Sequence, residues 1–337
     1  MTKLSESAAD TGLPAENGYI QNNWRSSVNL LLPLAALLAL TGEHSLLGNS
    51  QPFFAGRLFK NLTAFLPVLY GVALVAALLR PAVRRFLGDK GPLMAAVIGL
   101  VILWDLVTLK FALLPLPYFP PPAAVLNALI TERETLAVSA LHSLRLLAIG
   151  YAFGLVVGLP TGVLMGWSPR CHYWLNPALR LIGPIPATAW IPIAMVLFPS
   201  SFSASVFLIA LSCWFPITVM TWSGIANVSK SYYEVARSLG ASEWYLVSRV
   251  ALPAAMPTIF VGLFMGLGMA FVTLVVGEML GVKAGLGWFI TWAQGWAEFG
   301  KVYAALMVMS VLFSSVITLL FRFRDKALAW QKGLIKW

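Results

Sequence analysis

The feature that most constrains this chain is a series of apolar runs long enough to cross a lipid bilayer. A transmembrane helix needs about 20 mostly apolar residues to cross a hydrocarbon layer of about 30 Å. Hydropathy read in windows of about 19 residues predicts eight such spans. They cover residues 27–42, 62–79, 92–109, 141–166, 177–198, 203–225, 256–277 and 302–321. The first is the weakest, because it is short and contains Asn29 and Pro33.

Composition agrees with a membrane protein. The chain is 59% hydrophobic and 11% charged, so a soluble fold could not cover its surface with polar groups. Hydrocarbon offers no partner for backbone N–H and C=O groups, which leaves helices or closed barrels as spanning structures. Barrel strands would alternate polar and apolar residues in segments of about 10, and that alternation is absent. We therefore predict an all-α integral membrane bundle of about eight transmembrane helices.

The distribution of Lys and Arg predicts the orientation of these spans. With the N-terminus in the cytoplasm, most basic residues fall in cytoplasmic segments and few fall outside, with Arg145 near a span end left unassigned. The positive-inside rule then places both termini in the cytoplasm. The basic residues are dispersed among loops, so the net charge of +10 does not require a nucleic-acid partner.

The polar residues outside the spans suggest few chemical sites. Residues 1–25 form a polar segment without the apolar stretch of a signal peptide, and we expect a disordered cytoplasmic lead. Cys171 and Cys213 fall in or beside different apolar runs, which favours two free thiols and no disulfide. No metal site is expected, because the histidines lack ligand spacing. The histidines are His44, His142 and His172.

One charged passage, "SYYEVARSLGASEWYLVSRVALPAAMP" (231–257), interrupts the apolar runs. Ser231 and Glu234 have capping-box spacing and predict a helix start, and Gly240 predicts its end. Ser242 predicts the cap of a second short helix, which Pro253 should discourage from continuing. Two apolar stripes are expected. The first comprises Tyr232, Val235, Ala236 and Leu239, and the second Trp244, Val247 and Ala251.

An amphipathic helix lying on lipid headgroups would explain the first stripe but not the order of Glu, Gly and Leu-Pro. That order resembles the cytoplasmic loop of permease subunits in bacterial ATP-binding-cassette (ABC) importers. The matching residues are Glu234, Ala236, Gly240, Leu252 and Pro253, with Val235 in place of the first Ala of the motif. The resemblance implies that these residues, with Arg237, couple the chain to an ATPase.

Three further segments resemble the nitrate, taurine and aliphatic-sulfonate group of these permeases. They are "LWDLV" with "LLPLPYFPPPAAVLNAL" (103–129), "LNPALRLIGPIPATAWIPIAMVLF" (175–198) and "VVGEMLGVKAGLGWFI" (275–290). The resemblance runs from Pro92 to Trp337. It implies a type I importer permease, with two extra transmembrane helices in residues 26–90. A six-helix core would occupy residues 91–337, including a coupling loop at 226–253.

The resemblance also implies partners. A homodimer would assemble in the bacterial inner membrane with two cytoplasmic ATP-binding subunits and an external solute-binding protein. ATP and Mg would bind those partner subunits, and this chain contains no Gly-x-x-x-x-Gly-Lys-Ser/Thr loop to hold phosphates. The expected role is therefore that of a non-catalytic membrane subunit without cofactors of its own. It would import a small polar or anionic solute.

Glycines at every fourth position predict close helix packing. One span carries Gly150, Gly154, Gly158, Gly162 and Gly166, and Gly262, Gly266 and Ala270 repeat the pattern in a later span. Static packing or a gating surface would both use this spacing.

Three prolines predict a break in one span. Pro184, Pro186 and Pro192 surround Trp190, and carbonyls freed by a break are tolerated at membrane depth where they line a cavity. We expect this segment to form a wall of the translocation path, with an ordinary kink as the alternative.

Asp105 and Glu278 are the acidic residues nearest the apolar runs, and intramembrane carboxylates are functional candidates. Either residue could carry a coupling proton in a secondary transporter, although such transporters usually have paired broken helices in both halves. Either could also be solvated at a span end, which the position of Glu278 favours. A membrane-embedded enzyme is the third alternative, but no nucleophile–base pair or His/Asp/Glu cluster stands within a span.

Overall fold

A computed structural model describes the backbone of residues 16–50 and 57–330, and side chains within 28–50 and 58–330. This part of the chain is helical, without strands. Seven of its helices are long and apolar enough to cross a membrane, or up to eight if one bent pair counts as a span. The prediction of an all-α membrane bundle is confirmed.

The chain divides into two compact units, Met1–Asn127 and Ala128–Trp337. The first contains α1 (Glu16–Leu46), α2 (Arg57–Leu79), α3 (Pro81–Asp105) and a π-helical turn (Leu106–Lys110), and α4 (Pro122–Thr131) crosses the division.

Specific contacts hold the first three helices together. The Tyr70 hydroxyl on α2 donates to the Leu30 carbonyl on α1 at 2.9 Å, and Thr41 Oγ1 on α1 donates to the Thr63 carbonyl on α2 at 2.7 Å. Gly91 on α3 lies directly against the backbone of Asn29 on α1. This contact leaves no room for a side chain at position 91.

The second unit contains the remaining helices. They are α5 (Arg133–Trp167), α6 (Pro169–Ile182), a 3₁₀ turn (Ala187–Trp190), α7 (Ile191–Leu197), α8 (Ser201–Ala226), α9 (Lys230–Ser238), α10 (Glu243–Tyr245), a π-helical turn (Leu246–Ala251), α11 (Leu252–Leu280), α12 (Leu286–Gly295) and α13 (Phe299–Ala327). Helix α8 is the centre of this unit, because α5 and α11 both pack along it.

The α5 glycines face α8 in register. From Gly150 to Gly166, each step of four residues along α5 corresponds to a step of four residues along α8 in the same direction. The two helices therefore run parallel. The facing residues are Ile209, Cys213, Ile217, Thr221 and Ile225. A Cβ added at Gly150 would stand 2.6 Å from the Ile209 Cβ, closer than carbon atoms pack, so glycine is required for this approach.

Helix α11 packs antiparallel on another side of α8. Gly262 lies against Met220 and the Pro216 carbonyl, and Gly266 lies against Cys213. Later residues of α11 therefore contact earlier residues of α8. The Tyr151 hydroxyl on α5 donates to the Leu263 carbonyl at 2.8 Å and ties α5 to α11. The three helices share one buried apolar core.

Two expectations about element boundaries need correction. Helix α1 begins at Glu16, so residues 16–25 are helical and not part of a disordered lead, while residues 1–15 lie outside the described residues. A hydropathy window detects the apolar part of a helix and misses its polar extension. The predicted span at 177–198 is two helices, α6 and the 187–197 segment, with a bend of 83° between them.

The proposed domain boundary between residues 90 and 91 falls inside α3, which the contacts group with α1 and α2. A six-helix core at 91–337 therefore stays a prediction drawn from the resemblance.

Candidate functional site

Helix α9 has no buried residue, and its start differs from the prediction. The helix begins at Lys230 after Ser229, and no side-chain hydrogen bond caps it. The predicted capping box of Ser231 and Glu234 is wrong, because Ser231 already lies in the first turn of the helix. The exposed carboxylate of Glu234 has no hydrogen-bond or ion-pair partner among the described residues.

Gly240 ends α9 as the sequence predicts. Its φ of +83° lies in the left-handed region that favours glycine. The Gly240 N–H donates to the Arg237 carbonyl at 2.9 Å, and the Ala241 N–H donates to the Ala236 carbonyl at 3.1 Å. This pair of bonds is a Schellman motif, which satisfies carbonyls at the helix end and reverses the chain tightly.

The second short helix is not a separate element. Ser242 does cap it, because its Oγ accepts the Tyr245 N–H at 3.3 Å. The chain then continues through the π-helical turn into α11, so the prediction that Pro253 would interrupt it is wrong. Pro253 stands just after the π-helical turn, where the backbone hydrogen-bond pattern already departs from that of an α-helix.

The π-helical turn also changes the predicted second stripe. Trp244 is 77% exposed, whereas Ala251 is fully buried in the core. The π-helical turn between them rotates Ala251 away from the face that carries Trp244. A π-helical turn contains an extra residue, so the side chains that follow it point in other directions than in a regular α-helix. A prediction based on 3.6 residues per turn does not include this rotation.

Helix α9 has an outer and an inner face. Tyr232, Val235 and Leu239 on the outer face are 59%, 61% and 83% exposed. On the inner face, the Tyr233 ring contacts the Trp167 ring edge-on, with 5.5 Å between centroids. Burial raises the pKa of Tyr233 above its usual range, so this side chain is an uncharged phenol at neutral pH. The end of α5 therefore supports α9 while apolar side chains point away from the protein.

A groove of about 990 Å³ follows the outer face of α9. Its walls are α9, the Gly240 turn, α10, the π-helical turn, the start of α11 and Trp330. The Arg237 guanidinium crosses the turn to Glu243 Oε1 at 3.1 Å, but both side chains are more than half exposed. Such a surface pair contributes little to folding stability, although it orients the two sides of the turn.

The proline-rich segment breaks the chain as predicted and borders a cavity. Between α6 and the 3₁₀ turn, residues 183–186 bend the path by 83°, and Pro192 stands in the first turn of α7. The break lines a cavity of about 460 Å³ together with Ser212 on α8 and Met269 on α11. The buried Trp190 Nε1 has no hydrogen-bond partner within the described residues.

Glu278 is buried near the end of α11, contrary to the expectation of a solvated span end. It is 1% exposed, and its Oε2 accepts the Gly287 N–H at 2.8 Å. The neighbouring Leu286 N–H donates to Ser143 Oγ on α5 at 2.9 Å. These N–H groups belong to the first turn of α12, where backbone donors have no intrahelical acceptor. Glu278 and Ser143 together hold α12 against α11 and α5.

The segment between α11 and α12 depends on glycine for this geometry. Gly285 has a φ of +120° and lies directly against the Glu278 carboxylate, so a side chain there would be strained and would displace the carboxylate. The sequence analysis singled out Glu278 in this segment but did not reveal Ser143 as the acceptor of the Leu286 N–H.

Asp105 belongs to the first unit and is fully buried. Its Oδ2 lies 3.5 Å from His44 Nδ1, and Glu43 is a further neighbour. Lys110, also buried, donates from Nζ to the Leu47 carbonyl at 2.8 Å. Sequence reasoning found no basic partner for Asp105, because α1 brings His44 to it from a distant part of the chain.

Comparison with known proteins identifies the family. The family described as "Binding-protein-dependent transport system inner membrane component" matches residues 154–329, more than half of the chain. The chain is 31% identical over 182 residues to SsuC of Bacillus subtilis (strain 168), named as an aliphatic sulfonates transport permease, covering 52% of this chain and 64% of SsuC. It is 27% identical over 186 residues to the bicarbonate transport system permease CmpB of Synechocystis sp., covering 51% of this chain and 65% of CmpB. The match thus spans less than two thirds of either relative.

A solved structure shares the fold. A chain of the MetNI methionine ABC transporter, in an inward-facing conformation, superposes with a TM-score of 0.51 at 19% identity, covering 58% of this chain and 98% of that chain. The helical arrangement is therefore that of an ABC importer permease. The resemblance to importer permeases is confirmed for the matched residues 154–329: the chain belongs to the family of membrane-spanning inner membrane components of binding-protein-dependent transport systems.

Proposed function

We propose that this chain is the transmembrane subunit of an ATP-driven importer, and that the outer face of α9 docks onto a separate cytoplasmic ATPase. The observation that carries the proposal is the exposed stripe of Tyr232, Val235 and Leu239 beside an open groove. Exposed apolar patches of this kind mark protein contacts. Two such chains with two ATP-binding subunits and an external solute-binding protein would form the complete importer, with ATP and Mg on the ATPase subunits.

The helix connections explain how docking could move the spans. Helix α10, the π-helical turn and α11 form one continuous helical path, Glu243–Leu280, of 38 residues. At 1.5 Å per residue its length is about 57 Å. A displacement of α9 by the ATPase would reach α11 through the Gly240 turn and α5 through the contact between Tyr233 and Trp167.

The far end of α11 carries this displacement to α12. Glu278 binds the first turn of α12, so tilting α11 would move α12 with it. The middle of α11 borders the proline-lined cavity, which is our candidate for part of the translocation path. One continuous helical path would thus connect the ATPase contact, the translocation path and α12.

We propose a small polar or anionic solute as the cargo. SsuC and CmpB are named for aliphatic sulfonates and bicarbonate, which are both anions. These two solutes, with the taurine and nitrate that the sequence resemblance implies, form the set to test, and the external binding protein would select among them.

Proton coupling through Asp105 or Glu278 is the second candidate, favoured by the burial of both carboxylates. Glu278, however, already holds the first turn of α12. That role explains its burial without a coupling proton.

Uptake into proteoliposomes separates the two candidates. The chain is reconstituted with its ATPase and binding protein, and uptake of a labelled alkanesulfonate, taurine, nitrate or bicarbonate is followed with and without enclosed ATP. We expect uptake to require ATP and to continue in the presence of a proton ionophore. Uptake that needs no ATP and collapses with the ionophore would overturn the proposal.

A further inference from the structure

An apolar groove runs along the outside of the α5–α8 pair and adjoins the proline-lined cavity. Its volume is about 630 Å³. Ile149, Phe153 and Val157 follow each other along its α5 wall at four-residue spacing. The α8 wall has the same spacing, and Ser203 is the only polar side chain among the lining residues. The α8 residues used below are Phe202, Val206, Ala210 and Trp214.

The groove has the length of one lipid leaflet. Twelve positions separate Phe202 from Trp214, which is about 18 Å at 1.5 Å per residue. Half of a hydrocarbon core of about 30 Å is about 15 Å. A single acyl chain lying along the parallel helices would therefore fill the groove from the interface to the middle of the bilayer.

A cation stands at one end of the groove. Arg145 lies one turn before Ile149 on α5, and its guanidinium lies 5.6 Å above the centre of the Phe202 ring. The Arg145 side chain is exposed, although it belongs to a span-forming helix. An arginine in that position is stable when its charge reaches headgroup level and meets an anion.

The chemistry of the lining argues against a transported anion as the occupant. A charged solute inside an apolar groove would lose its hydration without gaining polar partners. A phospholipid matches both parts of the site, because its phosphate suits the guanidinium and its acyl chain suits the apolar walls. We propose that this groove binds a phospholipid, with the phosphate at Arg145 and one acyl chain between α5 and α8.

The bound chain would also touch the proposed path. Ile182, Leu211 and Trp214 line both this groove and the proline-lined cavity. An acyl chain in the groove would therefore support one side of the break between α6 and the 3₁₀ turn. Lipid occupancy and the shape of the cavity would be coupled.

Native mass spectrometry of the purified full-length protein tests the headgroup contact. The protein is exchanged into detergent with phosphatidylglycerol, and retained lipid is compared between wild type and Arg145→Ala, Arg145→Lys and Arg133→Ala. Arg133, exposed on the same helix, is the matched control. Losing one charge-assisted contact should lower retention about tenfold in Arg145→Ala. The Lys variant should lose less and the control should be unchanged. Equal retention in all four proteins would overturn the proposal.

Photo-crosslinking tests the acyl chain. Phosphatidylglycerol carrying a diazirine along its acyl chain should label peptides containing Val157 or Trp214, and Val157→Trp should reduce that labelling by filling the groove. Labelling confined to other helices would overturn the proposal. So would efficient disulfide formation between two copies at Ala210→Cys, since a second chain would then occupy the groove.

Discussion

Replacing Glu278 distinguishes a structural carboxylate from a proton carrier. In Glu278→Ala, the Gly287 N–H loses its acceptor inside the protein, where Glu278 is 1% exposed. Leaving a buried donor unsatisfied costs about 1–3 kcal/mol, and losing the favourable carboxylate at the α12 N-terminus adds about 0.3–1 kcal/mol. The expected destabilisation is therefore about 1–4 kcal/mol.

Glu278→Gln gives the opposite predictions under the two roles. The amide oxygen of glutamine still accepts the Gly287 N–H, so only the smaller charge contribution of about 0.3–1 kcal/mol is lost. If Glu278 instead carried a coupling proton, the glutamine variant would abolish transport as completely as alanine does, because an amide does not ionise.

Thermal unfolding in detergent and ATP-driven uptake measure both effects. The melting temperature should fall clearly for Glu278→Ala and slightly for Glu278→Gln, and uptake should follow the same order. Glu134→Ala, which removes an exposed carboxylate from α5, is the control and should resemble wild type. The reasoning is refuted if the glutamine variant keeps its melting temperature but loses all uptake.

Three further substitutions test the contacts that define α9 and α5. Gly240→Ala should cost about 1–2 kcal/mol from its left-handed backbone alone, since nothing lies within 4 Å to clash, and co-purification with the ATPase should weaken. Gly154→Leu should prevent α5 from packing on α8 and lower the yield of folded protein, while Gly71→Leu, in open space on α2, should not. Tyr233→Ala should remove the contact with Trp167 and lower uptake per ATP hydrolysed, whereas Tyr233→Phe should preserve both.

The sequence predicts the helical bundle well because hydropathy and glycine spacing are local signals. Apolar runs identify the spanning helices, and the four-residue repeat from Gly150 to Gly166 predicts that another helix packs closely against α5. It does not identify α8 as that partner or the parallel direction of the two helices. Those follow from packing over the whole unit.

Local patterns fail where the backbone changes its period or where distant residues meet. The π-helical turn at Leu246–Ala251 joins two helices that Pro253 was expected to separate. Ser143 meets the segment after Glu278 through the tertiary fold, so no spacing rule indicates the contact. Asp105 and His44 meet in the same way. The Gly240 turn, by contrast, was predictable because its Schellman motif depends on neighbouring residues alone.

Site-specific photo-crosslinking from α9 tests the central claim most directly. A photoreactive amino acid replaces Leu239, which is 83% exposed on the outer face of α9, and a second protein carries it at Trp296, which is 70% exposed between α12 and α13. In membranes containing the complete transporter, we predict that Leu239 crosslinks to the ATPase subunit and that Trp296 does not. Absence of an ATPase adduct at Leu239, in a complex that still transports with ATP, would contradict the proposed docking of α9.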